Sequence, residues 1–412
     1  MSGNENPLRI EPQAWMVEPA TLDVLDALAA GGAQARFVGG AVRDALLGRP
    51  IGDIDIATPA PPERVIEALE KRRIKAVPTG LDHGTVTAIA GTPLRHFEIT
   101  TLRRDVETYG RRARVAFDVD WAADAARRDF TINAIFLDPD GTVHDPVGGL
   151  ADLRARRVRF VGDPATRISE DVLRILRYYR FEARFGTGHG DPPARVACRA
   201  MASLLPTLSN ERVAQELVRL LETSDPVGAL RMMQEDGVLS VVLPEAQRFD
   251  RLRHLIAIEE EPDPLRRLAA LIEIDGAGAI ALAERLRFSN AWRDRLRGLA
   301  PPWGIDPSKD ISAQRRALYR LGAERYRDIA LLLAAEGAMS RDRLADLLAL
   351  ARDWTPPVFP LAGRDIAAFG VPPGPRVGRL LDAVLAWWEA GDFSADRAAC
   401  LAHLRELLAA GI

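Results

Sequence analysis

RFVGGAVRDALLGRPIGDIDIATPA, residues 36–60, carries a double glycine, an Arg-Asp pair and two alternating aspartates within one short strand-helix-strand unit. In a strand, side chains at i and i+2 share a face, so Asp53 and Asp55 of GDIDIA are expected side by side, with Ile54 and Ile56 turned to the core. Two carboxylates held that close repel, and the usual resolutions are a shared proton or a bound divalent cation. Magnesium takes oxygen ligands and commonly combines one or two carboxylates with substrate phosphates. A solvent-facing edge strand explains a bare D-x-D equally simply. Upstream, an apolar strand runs into Gly39-Gly40 and then a helix, whose first N–H groups and positive dipole end suit an anion. Arg43, one turn on, adds a forked phosphate donor. Neither the G-x-G-x-x-G fingerprint nor a Walker loop is present, and a glycine turn for tight packing is the plainer alternative.

Outward from this unit, residues 1–32 read as an extension plus the helix VEPATLDVLDALAAGG, stopped by Gly31 and Gly32. Short β-rich runs follow, HGTVTAIAG, RHFEITTLR and NAIFLDPDGTVHDP, the last with a DPDG hairpin turn, alternating with the helix PPERVIEALEKRR. Glu98 in RHFEITTLR offers a third carboxylate, with Phe97 and Ile99 facing the other way. Residues 103–127 read as a polar, irregular loop. From about residue 150 the periodicity turns helical and stays so, with breaks at Pro206, Pro244, the PPW of 301–303 and TPPVFP at 355–360.

At 412 residues, with 55 Lys and Arg against 58 Asp and Glu, the chain is a multi-domain globular protein in which any nucleic-acid site is a patch rather than a blanket of positive charge. Two cysteines, Cys198 and Cys400, suggest neither a disulfide framework nor a zinc site and suit a reducing, cytoplasmic setting. No apolar run reaches the roughly 20 residues that cross a bilayer, and the first residues lack a signal peptide's pattern. Nothing in the sequence reports the oligomeric state.

ISEDVLRILRYYRFEAR, residues 168–184, is expected to be one helix, with Ser169 at its N-cap and Val172, Ile175, Leu176 and Tyr179 as the buried stripe. Asp171, Arg174, Arg177 and Arg180 then recur along one flank. A solvated face with a local Asp-Arg pair is the ordinary explanation. A sharper one rests on hydrogen-bond polarity, because Asp only accepts and Arg only donates. Cytosine and adenine both present a donor amine beside an acceptor ring nitrogen, whereas uracil and guanine present the reverse. Asp171 with Arg174 can therefore favour C and A without a template, leaving Arg177 and Arg180 for phosphates. Residues 151–184 hold nine arginines against five acidic residues, a face suited to an RNA backbone.

Taken together, RFVGGAVRDALLG, GDIDIAT, HGT at 83–85, FEITTLRRD at 97–105, RRDFTINAIF at 127–136, DPVGGLADL at 145–153 and EDVLRILRYYRF at 170–181 resemble the class II tRNA nucleotidyltransferase and bacterial poly(A) polymerase family. The resemblance implies an α+β head of the polymerase-beta type, a small mixed sheet with helices, over residues 33–146. An elongated all-α neck (147–206), body (207–300) and tail (301–412) would follow, the tail touching tRNA. It further implies Mg²⁺ on Asp53 and Asp55, with Glu98 as third catalytic carboxylate. Gly39, Gly40, Arg43, Arg128 and Asn133 would lie near the nucleotide, Asp171 and Arg174 would read CTP and ATP, and Arg177 and Arg180 would make further nucleotide contacts. The expected activity is template-independent addition of CCA to tRNA. A poly(A) polymerase, a CC-only or A-only tRNA enzyme, and a non-catalytic RNA-binding module are the rivals. Poly(A) polymerases of this family carry a basic G-R-R-F run before the third-carboxylate strand, where this chain has PTGLDHGTVTAIAG, and both aspartates are present.

Overall fold

The computed structural model of the chain describes residues 8–81, 84–109, 112–117 and 119–411, with side chains for all of these except 104–109 and 112–116. Two compact units divide it, residues 1–244 and 245–412, so the division falls inside the stretch expected as the body.

The first unit is built on a mixed sheet of seven strands. In chain order these are β1 (Arg36–Val38), β2 (Ile54–Thr58), β3 (Lys75–Gly80), β4 (Thr85–Ala90), β5 (Arg95–Thr101), β8 (Phe136–Leu137) and β9 (Val143–His144), while β6 (Arg103–Tyr109) and β7 (Arg112–Phe117) form a separate ribbon. The spatial order is β3-β4-β5-β2-β1-β8-β9. Among the described residues only β2 and β5 run parallel, with Asp55 opposite Glu98 and Ile56 opposite Ile99. The period-two pattern has its expected consequence: Ile54, Ile56, Phe97 and Ile99 are buried on one face. The helices Pro19–Ala30 and Pro62–Lys71 pack over the sheet, burying Val24, Leu28, Val65 and Leu69.

Three features differ from expectation. β3 was not foreseen, because KAVPTG contains Pro78; the strand tolerates it at the sheet edge, where its register shifts between Val77 and Gly80. The described residues of 103–127, expected as an irregular loop, instead form the antiparallel pair β6 and β7 and the helix Trp121–Ala126, capped by the Asp120 side chain on Ala122 N–H. The N-terminal extension joins the sheet: Ile10 N–H bonds to Gly141 O and Val143 N–H to Leu8 O. Gly141 has φ 89°, and a Cβ there would lie 2.0 Å from Ile10 O, so this tight turn accepts only glycine.

Helices Pro164–Glu170, Arg174–Phe185, Pro192–Met201, Asn210–Leu221 and Val227–Glu235 complete the first unit. The second unit is all helical, from Phe249–Ile256 to Arg397–Ala409, with Asp263, Asp275, Ser289, Asp310, Ser340 and Asp396 each capping a helix by accepting a backbone N–H. Its buried charges are compensated: Arg266 bonds to Glu259 and Asp328, and Arg295 to Asp263 and Asp328. Trp388 lies in its core, while Trp387 is partly exposed and stacks on His403 at 4.4 Å.

Candidate active site

The sheet brings Asp55 of β2 and Glu98 of β5 level with each other, and Asp53 sits in the bend just before β2. All three line a cavity of about 520 Å³, together with Gly40, Asp44 and Arg184. Among the described residues no three acidic, His or Cys side chains converge tightly enough to hold a metal ion by themselves.

Asp55 shows the electrostatic state of the site. Burial first, then the charge of Glu98, pushes its carboxyl up to about 6, against partial relief from Arg128 and from the Gly40 N–H. That last contact revises one expectation. The helix Gly40–Leu46 does not point all its leading N–H groups at open space, because Gly40 donates to Asp55. Gly39 is required for this approach: its φ is 72°, and a Cβ would meet Asp55 Oδ2 at 2.8 Å.

Arg43 is only 6% exposed. Its Nε and Nη2 donate to the two oxygens of Asp44 at 3.0 and 2.9 Å, and Nη1 donates to Asn133 Oδ1 at 2.7 Å. Asn133 donates in turn to Asp129 Oδ1 at 3.0 Å, and Asp129 Oδ2 accepts from Arg177 Nε at 3.0 Å and Nη2 at 2.5 Å. A continuous hydrogen-bonded chain thus runs from Asp44 at the cavity to the helix Arg174–Phe185. Burial alone would raise the Asp129 carboxyl, but Arg177 and the bonds from Asn133 and Phe130 N–H outweigh it and hold it at about 2. The RRDF and DPVGG motifs meet here. Gly149 packs so tightly under the turn Thr131–Asn133 that a Cβ would lie 2.2 Å from Thr131 O. Asp152 then accepts from the Thr131 hydroxyl at 2.6 Å. Arg128 is held away from this chain by Asp124, at 2.9 Å from Nη2.

The expected single helix over 168–184 is two helices. Pro164–Glu170 starts earlier, with Asp163 capping and Pro164 in its first turn, and places Ser169 inside, bonding to Thr166 O. At Asp171 the backbone becomes extended (φ −151°, ψ 106°), and its Oδ1 accepts from Leu173 N–H, the side chain replacing a helical partner. Asp171 is therefore a junction rather than a helix flank, although Arg174 follows within a turn. Val172 is only half-buried, whereas Tyr178 and Phe181 join Ile175, Leu176 and Tyr179 in the core.

Every charged member of this ladder has a protein partner. Asp171 Oδ2 accepts from Arg212 at 2.8 Å, Arg174 pairs with Glu170 and donates to Arg167 O at 2.7 Å, and Arg180 donates to Glu216 at 2.6 Å. Phe181 and Phe185 form a floor beneath the guanidiniums: Arg180 lies 4.7 Å from the Phe181 ring and Arg43 4.0 Å from Phe185. Sequence reasoning missed Asp44, Asp129, Glu216 and Arg212. The first two adjoin residues it did single out, in VRD and RRDF, whereas Glu216 and Arg212 carry no local signal. His83 of the HGT motif lies outside the described residues.

Comparison with known proteins gives independent findings. A family model described as "Poly A polymerase head domain" matches residues 35–159, and one described as "Probable RNA and SrmB- binding site of polymerase A" matches residues 191–249. The mitochondrial CCA tRNA nucleotidyltransferase 1 of Danio rerio is 33% identical over 390 residues, covering 90% of this chain and 87% of its own length. The CCA-adding enzyme of Lactococcus lactis is 30% identical over 394 residues, covering 93% and 96%. Among solved structures, the Bacillus stearothermophilus CCA-adding enzyme in complex with CTP aligns with a TM-score of 0.80 at 30% identity, over 95% of this chain and 97% of that chain.

Proposed function

This chain belongs to the CCA-adding tRNA nucleotidyltransferase family, and from that premise we propose that it adds C, C and A to the 3′ end of tRNA from CTP and ATP in the head cavity, releasing pyrophosphate. The observation that carries the reading is the alignment of Asp55 with Glu98 across parallel strands, with Asp53 beside them, at one wall of a cavity large enough for a triphosphate.

The tRNA 3′ oxygen attacks the α-phosphorus, forming one P–O bond as the bond to the pyrophosphate oxygen breaks. The donor set fits a divalent cation, which we take to be Mg²⁺ on Asp53 and Asp55, because a carboxyl pushed up to about 6 by burial and then by the charge of Glu98 gains most from a positive charge. Held by Asp53 and Asp55, such a cation would supply positive charge against the phosphates and lower the pKa of the attacking hydroxyl. Glu98 adds negative charge beside Asp55. Gly39 and Gly40 hold the turn that presents Asp55, and Arg43 with Asn133 fixes that turn to the neck. Asp171 and Arg174 read the base, which exchanges for Arg212 and Glu170 as their hydrogen-bond partner. Arg128, Arg177 and Arg180 supply positive charge for the nucleotide phosphates and sugar. The arginine-rich neck is the surface proposed for the tRNA backbone, and the two buried, unpaired cysteines suit a reducing compartment such as the cytoplasm. No helix among the described residues is long and apolar enough to cross a membrane.

The head-domain model bears a poly(A) polymerase description, so A-tail synthesis is the reading to beat. Offering tRNA that ends at the discriminator base, at C and at CC, with CTP and ATP separately, and sequencing the products decides between them. Addition of C, C and A followed by arrest is expected; a long A tail overturns the reading, and arrest after CC narrows it to a partial enzyme.

A further inference from the structure

We propose that Arg184 grips the phosphate tail of the incoming nucleoside triphosphate, and then the departing pyrophosphate, inside the head cavity. The inference rests on the nucleotidyl-transfer reading and extends it to a residue outside the three-residue arginine spacing.

Arg184 is the one cationic side chain lining the cavity, among the described residues, whose other ionisable walls are Asp44, Asp53, Asp55 and Glu98. Its situation differs from that of every other arginine on its helix. Arg174, Arg177 and Arg180 each hold a carboxylate at hydrogen-bond range. Among the described residues Arg184 has only Asp44, at 3.6 Å, beyond a hydrogen bond, and both Asp44 oxygens are already taken by Arg43. The Arg184 side chain is 49% exposed, and its guanidinium lies 5.2 Å from the Phe185 ring, which keeps it at the cavity without saturating its donors. A planar fork with free N–H groups, facing a space that must accept a polyanion, matches phosphate oxygens two at a time.

The helix also sets the distance. Ten residues separate Arg174 from Arg184, which at 1.5 Å per residue is about 15 Å. One rigid element can therefore touch the base at its N-terminal end and the far phosphates at its C-terminal end. Fixing both ends of the nucleotide from a single helix would align the α-phosphate with Asp53 and Asp55 between them.

The phosphate in question belongs to the triphosphate rather than to the tRNA backbone, and the test separates the two. Arg184→Ala and Arg184→Lys are assayed for KM of CTP, ATP and tRNA, for inhibition by pyrophosphate and by CMP, which lacks the tail, and for Tm. For Arg184→Ala the expected result is a rise of about tenfold in KM for both nucleotides and in the pyrophosphate inhibition constant. CMP inhibition, KM for tRNA and Tm stay unchanged, and Arg184→Lys recovers part of the loss. Unchanged nucleotide KM and pyrophosphate inhibition overturn the proposal. So does a rise confined to KM for tRNA, or a parallel loss of CMP affinity and Tm, which marks a structural role. If the wild-type chain transfers no nucleotide to tRNA, the functional reading fails separately. Calorimetric binding of pyrophosphate to wild type and Arg184→Ala then decides the role of Arg184, equal affinities overturning it.

Discussion

Two charged regions of the first unit face opposite problems. On the sheet, Asp53, Asp55 and Glu98 crowd one cavity wall, and Asp55 is driven up to about 6 by burial and by Glu98. Where the RRDF turn meets the helix Arg174–Phe185, Asp129 is also enclosed, yet Arg177 holds it at about 2 against the effect of burial. Burial opposes the charge of both carboxylates, and only at Asp129 do the neighbours reverse its effect. The residues around the helix Arg174–Phe185 complete their electrostatics within the protein and form a frame. The sheet leaves its own incomplete, as the proposed cation site requires. A frame that is satisfied and a floor that is not is the division of labour a positioning enzyme requires, since most of phosphoryl-transfer catalysis is geometry and charge.

The hardest test of that contrast removes the acids from the floor. Asp53→Ala combined with Asp55→Ala is expected to lower incorporation of labelled CTP into tRNA by about 10³-fold or more. Tm should hold or rise, because a repelled buried charge is lost. Retained transfer would mean that the cavity carboxylates do not anchor the reaction.

Removing a partner from the frame should behave in the reverse way. Asp129→Asn leaves Arg177 without its carboxylate and weakens the link through Asn133 to Arg43. Breaking a largely buried pair costs about 3 kcal/mol, so a fall of several degrees in Tm is expected, with CTP affinity reduced secondarily. An unchanged melting curve would show that the frame is not held by this pair. Asp171→Ala tests the frame's edge, proposed here to read the base. Losing one acceptor from a two-point match removes about 1 to 3 kcal/mol of discrimination, so UTP and GTP should compete roughly ten- to a hundredfold better while correct addition slows less. Selectivity retained in a mixed-nucleotide competition assay would place base choice elsewhere.

How much of this was legible in the sequence follows the same division. The floor is local. Period-two alternation in DIDIAT and HFEIT predicts which side chains share a face, and Gly39-Gly40 marks the close approach, so Asp53, Asp55 and Glu98 could be read from short stretches. The frame is not local. Arg177 finds Asp129 across 48 positions, Arg180 finds Glu216 across 36, and Asp171 finds Arg212 across 41. Three-residue spacing also concealed the break at Asp171, because the pattern continues through a backbone that does not. Arg184 escaped for the converse reason. It lies four residues beyond Arg180, outside the repeat, and its distinction is what it lacks, a carboxylate of its own.

The smallest effect separates floor from frame by pH. For Asp55 the folded-state value, about 6, stands above the ordinary 3.8. Between those two pH values the folded chain holds a proton that the unfolded chain has released, so stability falls as pH climbs through the window, and the full cost persists above 6. Asp129 runs the other way: its contribution is complete above 3.8 and is lost only as pH falls through about 2. Between pH 5 and 7.5 the frame is therefore constant and only the floor changes. A divalent cation must displace the Asp55 proton at pH 5 but not at pH 7.5. Adding MgCl₂ should accordingly raise Tm by a few degrees at pH 7.5 and by clearly less at pH 5, and Asp55→Asn should remove the difference. An equal increment at both pH values would mean that the cation does not bind at Asp55, and the contrast between an unsatisfied floor and a satisfied frame would lose its functional meaning.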